Sequence, residues 1–233
     1  MIKKYMKNNK LVFFIICASS IILTTTAKPI ESFEDLLSVN KTKYKRYGII
    51  KGTVEYKVSG TKTGKQILYF DDWGAKEAKI EISEMKMAGL TFKENKLTIL
   101  DGEWTYSIDM DKKKGSKIKT PLPNELVAKS KTNNLTEVGE KMLKQMGGKI
   151  IGQETLLGNK CDIWEVKNLG TKMWVWNYIP LKIETVMMGN TITINAVKID
   201  LNSNINSDKF LVPKDVVISD GPDLKSIFNK IKR

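Results

Sequence analysis

Glu103-Trp104-Thr105-Tyr106-Ser107-Ile108-Asp109-Met110 reads as a half-buried β-strand. Large apolar side chains at 104, 106, 108 and 110 alternate with polar ones at 103, 105, 107 and 109, a period of two that sends each set to its own face of a pleated strand. The same alternation recurs at Val54, Tyr56 and Val58, at Ala78, Ile80 and Ile82, at Leu97 and Ile99, and at Ile192, Ile194 and Ala196. Turn-forming clusters fall between these runs: Gly60 to Gly64, Glu94-Asn95-Lys96, Asp101-Gly102, Lys112 to Gly115, Gly158-Asn159-Lys160 and Gly189-Asn190. Strands separated by such turns every 8–12 residues or so predict a mainly β fold, an antiparallel sheet or barrel.

One segment departs from period two. Beyond Pro121-Leu122-Pro123, within residues 124–148, Leu135, Val138, Met142, Leu143 and Met146 follow a helical spacing and define one apolar stripe. Asn134 suits an N-cap and Gly147-Gly148 a stop. A shorter helix is expected over Glu31 to Leu37, and the end of the chain (220–233) carries Leu224, Ile227, Phe228 and Ile231 among Lys225, Lys230, Lys232 and Arg233 as a basic amphipathic tail.

The N-terminus carries an address. Lys3, Lys4, Lys7 and Lys10 precede the apolar run Leu11 to Leu23, and Thr25-Thr26-Ala27 supplies small residues at the exit. This is the layout of a secretory signal peptide, with cleavage expected after Ala27 and a soluble exported product. Cys17 follows Ile16, where a lipidation signal wants a small residue, and after cleavage Cys161 is the remaining cysteine. The expected organisation is a signal peptide (1–27), a helical or linker segment (28–45), one domain over 46–219 with a helical insert at 124–148, and the tail.

Composition removes several functions. The chain has 233 residues and a formal net charge of +13, near +9 once the first four lysines leave. Arg46 and Arg233 are the only arginines, so the basic surface lacks the planar forks that read base edges and clamp phosphate. No nucleic-acid partner is expected. Histidine is absent, which takes away the commonest general base, zinc ligand and nucleophile activator. Asp71 and Asp72 are adjacent in an extended stretch and point to opposite faces. The expectation is a non-enzymatic protein with no catalytic residues, metal or cofactor.

A resemblance adds to this. Leu68-Tyr69-Phe70-Asp71-Asp72-Trp73-Gly74-Ala75-Lys76-Glu77-Ala78, then Tyr106-Ser107-Ile108-Asp109, Gly158-Asn159-Lys160-Cys161, Met173 to Lys182 and Phe210-Leu211-Val212-Pro213 together resemble bacterial envelope proteins of the outer-membrane lipoprotein carrier (LolA-like) group. The likeness covers about residues 46–219. It implies a strongly curved antiparallel sheet, an incomplete barrel with helices covering the hollow, and a cavity that accepts acyl chains in the periplasm.

The resulting expectation is a periplasmic carrier or binding protein for a lipid or an acylated lipoprotein, acting as a monomer with envelope membranes as further partners. Val54, Tyr56, Val58, Ile80, Ile82, Trp104, Tyr106, Ile108, Ile192 and Ile194 are the candidate cavity lining, with Met142 and Met146 closing it. The alternative is an interaction or sensor module with a filled core, anchored on Trp73, Trp174 and Trp176, because tryptophan dominates binding hot spots.

Overall fold

A computed structural model describes residues 45–87, 89–102, 104–119, 139–140, 143–187 and 189–221. Twelve strands make one sheet: β1 (Gly52–Gly60), β2 (Lys62–Asp71), β3 (Lys76–Met87), β4 (Leu90–Asp101), β5 (Trp104–Asp109), β6 (Lys114–Lys119), β7 (Lys149–Leu156), β8 (Asn159–Val166), β9 (Thr171–Trp176), β10 (Ile179–Met187), β11 (Asn190–Asp200) and β12 (Val217–Asp220). Their order is β12-β6-β5-β4-β3-β2-β1-β11-β10-β9-β8-β7, so β12 and β7 are edges and the sheet does not close. Every pairing is antiparallel except β12 with β6. Residues 201–216 carry the chain from β11 to this edge, where β12 runs parallel to β6.

The mainly β expectation holds, with two corrections. Helices do not roof the sheet among the described residues. The segment that does cover part of it, 205–218, holds a 3-10 turn at Ser207–Phe210 and a turn at 214–215, and Pro213 in its middle removes a donor that a helix would need. Helix in the 124–148 insert is described only at 139–140 and 143–145; it stops where Gly147 N–H donates to the Lys144 carbonyl at 3.0 Å and Gly148 N–H to that of Leu143 at 2.7 Å. The second correction concerns Glu94-Asn95-Lys96, expected as a turn but lying inside β4. Their polar side chains are used in place: Glu94 accepts from Lys62 at 2.7 Å and Asn95 donates to Asp111 at 2.8 Å. The strands instead meet at Met87 opposite Leu90, with Gly89 at φ 76 just before β4. The signal peptide, the helix over Glu31–Leu37, Met142 and the tail beyond residue 221 lie outside the described residues.

The sheet exchanges its apolar face along its width. On β1, Val54, Tyr56 and Val58 point to one side, called here the first face, and β2 continues it with Leu68 opposite Val54. On β3 that face carries Lys79 and Glu81, opposite Leu68 and Gln66, while the apolar Ala78 and Ile80 lie on the second face, opposite Tyr69 and Ile67. Strand β2 is the pivot. Its run Ile67-Leu68-Tyr69-Phe70 is apolar on both faces, which is how a strand covered on two sides reads. Two cores result. Val54, Tyr56, Leu68 and Phe70 pack with Cys161, Trp174, Ile179, Leu181 and Ala196. Ala78, Leu97, Ile99 and Ile108 pack under Phe210, with Ile205, Val212, Val216 and Ile218 around it.

Candidate functional site

On the first face, strand register lines up one side chain per strand across nine strands: Ile150, Trp164, Met173, Ile183, Ile194, Val58, Gly64, Ser83 and Glu94. The first six are apolar. They cross β7, β8, β9, β10, β11 and β1, five strand spacings or about 24 Å. Exposure varies along the row: Val58 and Trp164 are buried, Met173, Ile183 and Ile194 half-buried, and Ile150 exposed. Gly64 interrupts the row at φ 154, with the backbone of β3 so close that any Cβ would strike Ile82 O and Ser83 Cα.

Past Gly64 the face turns ionic. Lys62 on β2 pairs with Glu81 on β3 and with Glu94 on β4, the latter at 2.7 Å. Gln66 donates to Glu81 Oε2 at 2.8 Å and Ser83 to Glu81 Oε1 at 3.0 Å. Lys62, Gln66, Glu81 and Ser83 are all buried, so charge here survives only because it is paired and hydrogen-bonded. Burial opposes both charged forms, and the pairing outweighs it. The Lys62 pKa is held above its ordinary value by Glu81, and Glu81 is held below its own by Lys62. Thr98 lies in the next part of this face, and its hydroxyl is buried with no hydrogen-bond partner among the described residues.

The expected cavity-lining residues divide between the two faces. Val54, Tyr56, Val58, Ile192 and Ile194 share the first face. Ile80, Trp104, Tyr106 and Ile108 share the second, where Ile80, Tyr106 and Ile108 pack in the core under residues 205–218. Ile82 is also on the second face and is exposed. Met146 is half-buried just after the helical stretch. A single ligand lying on the sheet meets one of these sets, not both.

The tryptophans proposed as anchors are differently engaged. Trp174 is buried, donates its indole N–H to Glu154 and has Lys182 Nζ 4.1 Å above its ring. Trp73 sits in a left-handed turn with Lys45 Nζ 3.6 Å from its ring centre. Trp176 is half-buried and lines a surface groove.

Sequence reasoning missed the Lys62–Glu81–Glu94 network. Lys62 and Glu94 sat in supposed turns, and a charged residue in a turn reads as solvated. A signal was present: Glu81 and Ser83 alternate with Ile80 and Ile82, which marks them as sharing one face.

No family model matches the chain, and no curated protein matches it. Among solved structures, a conserved protein from Thermus thermophilus overlays with a TM-score of 0.47 at 11% identity, covering 82% of this chain and 100% of that one. LprF from Mycobacterium bovis overlays with a TM-score of 0.31 at 9% identity, covering 72% of this chain and 90% of its own. A DUF1329 family protein from Desulfovibrio piger gives 0.22 at 13% identity, over 69% of this chain and 88% of its own. Overlays this loose define neither a family nor a ligand. No described helix is long and apolar enough to cross a membrane.

Proposed function

We propose that this protein is an exported, non-enzymatic carrier that binds a lipid or an acylated protein along the first face of its sheet. The observation that supports the reading is the apolar row from Ile150 to Val58, ending beside a buried ionic cluster. It has the layout of an amphiphile, a long apolar track with a polar terminus. Burying an acyl chain of about fifteen methylenes gains on the order of 10 kcal/mol before the ligand's own ordering is subtracted. No cation or catalytic group is needed for that. The basic, signal-bearing sequence fits export to an envelope compartment.

Native mass spectrometry of the protein purified from its own envelope tests this. An acyl-bearing species is expected in the wild type and is expected to be lost in Ile194→Asp, whose charge would sit in the middle of the row. Protein that is folded and free of any acyl adduct, from repeated preparations, contradicts the reading.

A second reading has an observation of its own. Val54, Ile179 and Leu181 are fully buried, as in a filled core whose work is done at the surface. Under that reading no lipid copurifies, and added fatty acid leaves the tryptophan emission unchanged.

A further inference from the structure

Where β11 leaves the sheet, an open groove of about 540 Å³ falls within the size range of small-molecule sites, about 300–1,000 Å³. Trp176, Ile199 and Leu201 form its apolar side, and all three pack against the first core behind them. Asn159, whose side-chain amide donates to the Leu157 carbonyl at 2.9 Å, stands around it with Asp200 and Asn202. Trp176 is held in place by the β9–β10 hairpin, whose two turn residues, Asn177 and Tyr178, both have positive φ (47° and 64°). Asp200 Oδ1 accepts the backbone N–H groups of Asn202 and Ser203 at 2.9 and 3.0 Å, and these bonds hold its carboxyl below the ordinary value.

These features narrow the ligand by chemistry. An acyl chain needs an enclosed apolar track, and this groove is open with amide and carboxylate groups around it. Asp200 and Lys198, the latter 3.3 Å from Glu55, put opposite charges on the rim, so the groove offers no single-signed field to an anion or a cation. What remains is a neutral molecule with one apolar face for the indole and several hydroxyls for the amides and carboxylate. We propose that this groove binds a saccharide, stacking a pyranose ring on Trp176 with hydroxyls directed to Asn159, Asp200 and Asn202. The site is separate from the acyl row and stands without it.

The test is a glycan array of bacterial-envelope and host oligosaccharides probed with the full chain, followed by calorimetric titration of the strongest binder. Trp176→Ala is expected to weaken binding at least about tenfold. Because Trp176 also packs on the core, Asn202→Ala is the companion variant. It is exposed, and is expected to weaken binding severalfold with the melting temperature and any copurified acyl species unchanged. An array with no saccharide above background overturns the proposal, as does a saccharide bound equally well by both variants.

Discussion

Lys62 and Glu81 are the residues on which chemistry and stability meet most directly. Removing one partner of a buried pair leaves the other charged in a poor solvent, at a cost of about 3–5 kcal/mol. Lys62→Met is expected to show that loss in urea denaturation at pH 7. Glu81 has a folded pKa below its ordinary 4.5, so its contribution is complete above that value and drains away as pH falls through the folded pKa. Lys62 has a folded pKa above 10.5, so its share is complete below that and is lost as pH rises past the folded value. Without Lys62, Glu81 takes up a proton readily in acid, and the gap between variant and wild type should narrow at pH 4. An equal gap at both pH values would show that the pair is not ionised. Thr98 gives a prediction of opposite sign. Its hydroxyl is buried without a partner among the described residues, a burden of about 1–3 kcal/mol, so Thr98→Val should raise stability by about 1 kcal/mol in the same assay.

Hairpins set the register that brings the row together, and two glycines show how. Gly60 has φ 103 and closes β1 onto β2 with its Cα facing the β11 backbone, so an added Cβ would collide with the Thr191 carbonyl. Gly89, at φ 76, has open space around the same position. Gly89→Ala should therefore cost only the left-handed conformation, about 1–2 kcal/mol, whereas Gly60→Ala should cost clearly more by shifting β1 against β11. Equal losses in thermal unfolding would mean that Gly60 is not packed as described. Most strands could be read from the sequence because alternation such as that from Trp104 to Ile108 is a local property. The turn at Glu94–Lys96 was misread for the same reason. Local polarity resembles a loop until the partner that consumes it, Lys62 on β2, is known.

Alternation assigns phase within a strand but not between strands, and this limits how far the candidate site could be read. Val54 and Ile80 both alternate, yet the β2 pivot places them on opposite sides of one sheet. The apolar run at residues 67–70 was the visible sign of that pivot, since a strand apolar on both sides can pass a core from one face to the other. The ionic network was invisible for a related reason: its members are far apart in sequence and meet only through register. Residues 205–218 cover the second face over β3–β5, and under the proposed function a long apolar ligand lies on the first face. Photocrosslinking with a diazirine-bearing fatty acid, mapped by peptide mass spectrometry, tests this most directly. Labels are expected at Met173, Ile183, Ile194 and neighbouring positions of β9–β11. Labels at Ile80, Leu97 or Ile108, or none on the folded protein, would contradict it.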